Sequence, residues 1–155
     1  MHEPRVALVT GGTKGIGLAC ARALRADGHH VAVASRTRPE QLDVDLFWTA
    51  CDVTDPTSVD TAFAAVEAEL GPVTILVANA GITRDTLTLR MTDEAFSEVI
   101  DANLAGSFRV AKRAVRSMMK ARWGRIILMS SVVGSTGQTG QANYAASKAG
   151  LVGLG

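Results

Sequence analysis

Long hydrophobic runs, histidine clusters and an excess of charge of either sign are missing from this 155-residue chain, and each gap removes a class of function. Sixteen Lys and Arg against fifteen Asp and Glu leave a net charge of +1, which gives no general attraction to nucleic acid or to an anionic membrane. Nowhere do the roughly 20 consecutive apolar residues of a membrane-spanning helix occur. Met1-His2-Glu3-Pro4 leads directly into a strand-like run without a secretory signal, so the expected setting is soluble and cytoplasmic. Only two cysteines are present: Cys20 falls in a helix-like and Cys51 in a strand-like segment, where buried reduced thiols fit better than a disulfide or a metal pair. His2, His29 and His30 lack ligand spacing and read as surface residues, so no metal is expected. Repeats and low-complexity tracts are absent. With 47% hydrophobic and 20% charged residues, the chain has enough for one core and little room for two domains.

What is there is an alternation of apolar runs with helical patterns. Arg5–Thr10, Val31–Ala34, Leu46–Cys51, Val73–Ala78 and Arg125–Ser130 are nearly continuous apolar stretches, as expected of parallel strands buried on both faces. Between them, Ile16, Ala19, Cys20, Ala23 and Leu24 recur at helical spacing and stop at Asp27-Gly28. Asp55-Pro56 reads as an N-cap followed by proline at the first helical position. Val59, Ala62, Phe63, Val66 and Leu70 form that helix's stripe, which Gly71-Pro72 ends. One long helix is predicted over Asp93–Met119, burying Phe96, Val99, Ile100, Leu104, Phe108, Ala111, Val115 and Met118. Asn103 interrupts this seam, either as a hydrogen-bonded core amide or as a group that bends the helix and binds a buried water. The pattern predicts an α/β fold, a Rossmann-like doubly wound parallel sheet with helices on both faces.

In such a sheet the chemistry collects at the carboxyl ends of the strands. Strand one runs into Gly11, Gly15 and Gly17, a turn that opens a helix and so presents backbone N–H groups and a positive helix end to a pyrophosphate. After strand two stands Arg36, where a carboxylate would mark NAD. An arginine suits the 2′-phosphate of NADP, and Lys14 in the glycine turn can reach the same group. Asp52-Val53 follows strand three, where an adenine ring could be met. Asn79 ends strand four, either satisfying a turn or joining the crevice, and Ser131 ends strand five. Finally, Tyr144 and Lys148 stand four residues apart. At that spacing they share a helix face with Cβ atoms about 5–6 Å apart, so an ammonium there can stabilise a phenolate whose ordinary pKa is about 10.

These residues together resemble the short-chain dehydrogenase/reductase family: Thr10-Gly11-x-x-x-Gly15-Ile16-Gly17, Asn79-Ala80-Gly81, Asn103, Ser131 and Tyr144-x-x-x-Lys148 occur in family order and spacing. Asn79–Asp85, Gly124–Ile127, Ser131–Gly134 and Gly140–Leu151 are similar to the 3-oxoacyl-[acyl-carrier-protein] reductases of fatty-acid synthesis, and the short, poorly helical Thr37–Asp45 segment resembles their actinobacterial members. The resemblance implies NADPH-dependent reduction of a 3-oxoacyl thioester on acyl carrier protein. Tyr144 would give the proton, Ser131 would hold the ketone oxygen, Lys148 would lower the tyrosine's pKa and bind the nicotinamide ribose, and Asn103 would position a water. It further implies cofactor contacts from Gly11, Thr13, Lys14, Gly15, Ile16, Gly17, Arg36, Asp52, Val53, Asn79, Ala80 and Gly81, and a homo-oligomer, dimer or tetramer, when full length.

The chain departs from the family by stopping at Gly155, inside the helix that carries Tyr144. One incomplete domain over 1–155 is therefore expected, truncated after the helix that follows strand five, with little reductase activity of its own. Two other functions stay open: reduction of acetoacetyl-CoA, a polyketide or another ketone, and a non-catalytic nucleotide-binding fragment. Lys112, Arg113, Arg116, Lys120, Arg122 and Arg125 form a basic concentration, either a solvated helix face or a landing site for an acidic carrier protein.

Overall fold

Five short apolar runs become five parallel strands in a computed structural model that describes residues 3–155: β1 (Val6–Thr10), β2 (His30–Ser35), β3 (Leu46–Ala50), β4 (Val73–Ala78) and β5 (Arg125–Leu128). Their order is β3-β2-β1-β4-β5. The chain moves outward from β1 through β2 to β3, then returns to β1's other side for β4 and β5, so the order reverses between β1 and β4. A crevice opens outside the strand ends at such a point.

Helices cover both faces. On one, Leu18, Cys20, Ala21 and Leu24 of α1 (Gly15–Ala26) pack toward Ala7, Val9, Val31, Val33, Ile75 and Val77. On the other, α2 (Pro56–Leu70) and α4 (Gly106–Ala121) bury Val59, Phe63, Val66, Val110 and Ala114 against Leu8, Ala32, Leu76 and Ala78. The punctuation of α2 is as the sequence reads. The Asp55 carboxylate accepts from the Thr57 N–H at 2.8 Å, Pro56 opens the helix, and Gly71 closes it at φ +99°. The face of α1 differs from expectation. Ile16, Ala19 and Ala23 lie exposed, because Gly17 and Ala21 supply the close approach to the sheet.

The helix predicted over Asp93–Met119 is three pieces: α3 (Asp93–Ile100), a π-helical turn over Asp101–Ala105, and α4. The wider turn, where hydrogen bonds span five residues, advances the phase of everything after it. The buried set is consequently Val99, Ala102, Asn103, Gly106, Ser107, Val110, Ala114 and Met118. Of the expected stripe only Val99 and Met118 are buried. Ile100, Leu104 and Ala111 are half-buried, and Phe96, Phe108 and Val115 are exposed. Small residues pass closest to the core here: a Cβ on Gly106 would stand 2.7 Å from a Val53 methyl. After β5 come α5 (Val133–Thr136) and α6 (Ala142–Leu154), which packs on α3, α5 and the π-turn. His30 is exposed, whereas His29 is partly buried and its Nδ1 accepts from the Arg5 N–H at 3.3 Å; His2 lies outside the described residues. Among the described residues no helix is long and apolar enough to cross a membrane.

Candidate active site

The glycine turn is built by exclusion. Gly11 and Gly15 have φ of +63° and +54°, a left-handed conformation in which a side chain is strained. Gly17 is needed for space rather than conformation, since its Cβ would run into the Gly11 carbonyl oxygen and the Asn79 Nδ2. Lys14, the residue capping α1, makes no side-chain cap, so the first N–H groups of the helix are left for a ligand. Asn79 turns inward: its Nδ2 donates to the Thr10 and Gly11 carbonyls at 3.1 Å each. Thr10 answers, its Oγ1 accepting from the Asn79 and Ala80 N–H groups at 3.1 Å each. Asn79 thus pins the turn from behind.

In front of the turn lies a cleft of about 840 Å³, whose lining includes Gly11, Thr13, Lys14, Arg36, Arg38, Asp52, Val53, Ala80 and Gly81. Two cations from the sequence reading, Lys14 and Arg36, therefore share it with Asp52, and Arg38 adds a third. The Asp52 carboxylate is held below its ordinary range chiefly by the Thr54 hydroxyl at 2.7 Å and the Thr54 N–H at 2.9 Å, with Arg36 adding a smaller attraction. Such a group accepts hydrogen bonds from a ligand across the physiological range. On the cleft wall Cys51 is buried, and desolvation, aided by Asp52 and Asp55, pushes its thiol up to about 11, so it stays an inert thiol. Gly15, Ile16 and Gly17 shape the helix entry beside this cleft rather than lining it.

The residues to which the sequence resemblance assigns proton transfer stand farther along the strand ends. Tyr144 and Lys148 share a face of α6, the lysine Nζ lying 5.6 Å from the tyrosine ring centroid. Lys148 is 6% exposed, and burial lowers its pKa. Its ammonium donates to the Met129 carbonyl at 2.6 Å, which uses one of three hydrogens. Ser131 follows β5, its Oγ accepting from the Val133 N–H at 3.3 Å, which leaves the hydroxyl hydrogen free to donate. Asn103, fully buried in the π-turn, bonds the backbone of Ile82 in both directions, at 2.8 and 3.0 Å, and donates to Ser147 Oγ at 3.1 Å. Between the two regions runs the Gly81-Ile82 backbone. A side chain at Gly81 would crowd the amide beside it, its Cβ standing 3.0 Å from Asn103 Oδ1.

Several contributors escaped the sequence reading. Arg38 was legible, two residues beyond Arg36 in a loop leaving the same strand. Thr10, Asn143 and Ser147 fall in stretches that carry the resemblance, but their parts were not legible, because these depend on contacts with residues far away in sequence. The basic cluster divides. Arg113 turns inward, 15% exposed, to Asp60 at 3.2 Å and Glu67 at 2.6 Å, whereas Lys112, Arg116, Lys120, Arg122 and Arg125 stay at the surface. Among the described residues no group of His, Cys, Asp or Glu is arranged to hold a metal.

A model of the short chain dehydrogenase family matches residues 5–155. The 3-oxoacyl-[acyl-carrier-protein] reductase MabA of Mycobacterium tuberculosis is 55% identical over 150 residues, 97% of this chain and 60% of its own length. The corresponding MabA of Mycobacterium avium is 55% identical over 152 residues, 58% of its length. FabG, the 3-oxoacyl-[acyl-carrier-protein] reductase of Escherichia coli, is 46% identical over 158 residues, 98% of this chain and 65% of that protein. The chain thus spans about 60% of the length of the curated relatives it matches.

Proposed function

This chain belongs to the short-chain dehydrogenase family, and from that premise we propose that it serves an NADPH-dependent reductase of 3-oxoacyl thioesters carried on acyl carrier protein, acting in the cytoplasm in fatty-acid synthesis. The observation that carries the proposal is the buried Lys148 beside Tyr144 on α6, at the same strand ends as the glycine-turn cleft. The names of the relatives supply the substrate class.

The residues fit a nicotinamide dinucleotide. Gly11 and Gly17 keep side chains out of the turn, the uncapped end of α1 offers N–H groups to a pyrophosphate, and Asp52 and Val53, lining the same cleft, would meet the adenine. Lys14, Arg36 and Arg38 in one cleft, with Arg36 rather than a carboxylate directly after β2, favour a 2′-phosphate and hence NADP(H). Reduced and bound, the cofactor supplies a hydride to the carbonyl carbon.

The chain's own residues supply the rest. Tyr144 gives its phenolic proton to the carbonyl oxygen, leaving an alcohol. Ser131 donates a hydrogen bond to the same oxygen and fixes the carbonyl's orientation. Lys148 places a positive charge beside the tyrosinate so formed, with two hydrogens left for the nicotinamide ribose. Asn103 spends its side chain on Ile82 and Ser147, so a relay water to Lys148 would rest on its backbone carbonyl, which also accepts from Ser107 Oγ at 2.7 Å. The exposed Phe108, Val115 and Val152 support self-association, and surface cations from Lys112 to Arg125 support docking of an acidic carrier. The test follows NADPH oxidation by the full-length protein with one 3-oxoacyl chain on carrier protein and on coenzyme A. Faster turnover on the carrier supports the proposal. Equal rates would assign a free thioester, and no oxidation of NADPH would overturn it.

A further inference from the structure

The peptide units on both sides of Tyr144 are held by buried side chains that reach back to the loop leaving the cofactor cleft. Asn143 is fully buried at the start of α6. Its Oδ1 accepts from the Tyr144 N–H at 2.7 Å, and its Nδ2 donates to the Arg84 carbonyl at 3.1 Å and the Ala95 carbonyl at 3.2 Å. On the other side, Ser147 Oγ donates to the Tyr144 carbonyl at 2.8 Å and accepts from Asn103 Nδ2, whose amide also holds Ile82. Two further bonds close the same seam: the Thr86 N–H to the Gly140 carbonyl at 2.9 Å, and Gln141 Nε2 to Asp85 Oδ2 at 2.7 Å. The anchored segment, residues 82–86, continues directly from Ala80 and Gly81 of the cleft wall.

Helix α6 begins without such help from its own first turn. Gln141 caps nothing with its side chain, no acidic residue stands in the first turn, and the preceding Gly137 and Gly140 take φ of +69° and +80°. Glycine-flanked backbone of this kind loses much entropy on ordering and gives little direction to the helix that follows. The direction of the first turn therefore comes from the seam with residues 82–86, and Asn143 is the member of that seam that bonds the Tyr144 peptide directly. Only an uncharged amide can do this: it donates twice to two carbonyls and accepts once from an N–H.

We propose that Asn143 is a positioning residue for the reductase, acting through Tyr144 by locking the first turn of α6 to residues 84 and 95. This rests on Tyr144 being the proton donor. Serine at 143 keeps one polar group but cannot span both carbonyls, and aspartate would set a carboxylate against them. In the full-length protein, Asn143→Ser is expected to lower kcat by about 100-fold, the consequence of a misplacement near 1 Å. NADPH affinity should stay unchanged, because Asn143 bonds Arg84 and Ala95, which lie outside the cleft lining. Slower proton transfer should also raise the solvent deuterium isotope effect on kcat with acetoacetyl-CoA as the probe substrate. Ser147→Ala, a milder change on the other side of Tyr144, should move both quantities in the same direction. Val59→Ala in α2 loosens the core behind β3, away from Tyr144 and α6, and should leave the isotope effect at its wild-type value. An unchanged isotope effect in Asn143→Ser, or in Ser147→Ala where the former does not fold, overturns the assignment. So does the same rise in Val59→Ala, which would mark general loosening. A wild-type protein that transfers no hydride would remove the reductase reading and the lock with it, whereas an active wild type with an unmoved Asn143→Ser removes the lock alone.

Discussion

Substitution of Gly17 by alanine separates the conformational use of glycine from its spatial use. At this position an added methyl would collide with the Gly11 carbonyl oxygen and the Asn79 side-chain nitrogen, and it would lie 3.0 Å from the Gly11 carbonyl carbon. Carbon–carbon contact is comfortable at about 3.5–4.0 Å, so this contact alone asks α1 to retreat by about half an ångström, and the nearer carbonyl oxygen asks for more. Neither obstacle gives way easily, one being backbone and the other a side chain tied by two 3.1 Å bonds. Overpacking of this kind costs about 1–3 kcal/mol, and better helix propensity returns at most about 1 kcal/mol. A net loss of about 1–2 kcal/mol corresponds to a fall in Tm of about 2–8 °C for a domain of this size. Binding should suffer more. Loss of two charge-assisted bonds between helix N–H groups and a phosphate, at about 1.5 kcal/mol each, weakens NADPH roughly 100-fold. Fluorescence titration of NADPH and thermal melting of the same samples measure both. Gly153→Ala is the control: nothing lies within 4 Å of its added methyl, so affinity should hold and stability should rise slightly. If Gly17→Ala binds NADPH within a factor of about two of wild type, the helix entry is not the phosphate site.

Three other outcomes are expected. Tyr144→Phe should lose about 100- to 10,000-fold in kcat while NADPH affinity stays within error, and wild-type-like turnover would remove the phenol as proton donor. Arg36→Asp should lower the preference for NADPH over NADH by about 10- to 100-fold, the weight of one charge-assisted bond to a phosphate, and an unchanged ratio of kcat/KM values refutes the reading of that end of the cleft. At Glu67, burial alone would raise the carboxyl, but Arg113 and Ser117 hold it below the ordinary carboxylate range. With the folded value depressed, its contribution is complete above the unfolded value near 4.3 and fades as pH falls through the folded one. Melting curves below about pH 5 should therefore be less pH-dependent in Glu67→Gln, and identical slopes would contradict the pairing.

The strands, the glycine turn and α2 were legible because each is written locally: apolar runs, Asp55-Pro56 at one helix end, Gly71 at the other. The long helix misled for an equally physical reason. Phe96, Phe108 and Val115 keep helical spacing with Val99 and Met118, but the π-turn at Asn103 rotates the phase, and the sheet accepts Ala102, Gly106, Val110 and Ala114 instead. The apolar spacing does not reveal which of two candidate stripes faces the sheet. In the candidate site, residue types with special chemistry stand out in the sequence by type alone, as Tyr144, Lys148 and Arg36 do, and the structure sets the first two on one helix face and the third in the cleft. Asn143 and Ser147 did not, since an amide and a hydroxyl become informative only when their distant partners, Arg84, Ala95 and Asn103, are known.

The mutual bonds of Thr10 and Asn79 bear on how such a molecule can be recombined. They stitch β1 to β4 across the reversal in strand order, and Gly17 admits no bulk behind them. The first half of the chain, β1 to α2, looks like an exchangeable cassette, because its connection to the second is the short turn at Gly71-Pro72. Its functional boundary does not lie at that turn. A chimera joined there inherits Thr10, Gly11 and Gly17 from one parent and Asn79 from the other. Only parents that agree at all four positions can exchange halves and keep the glycine turn in register.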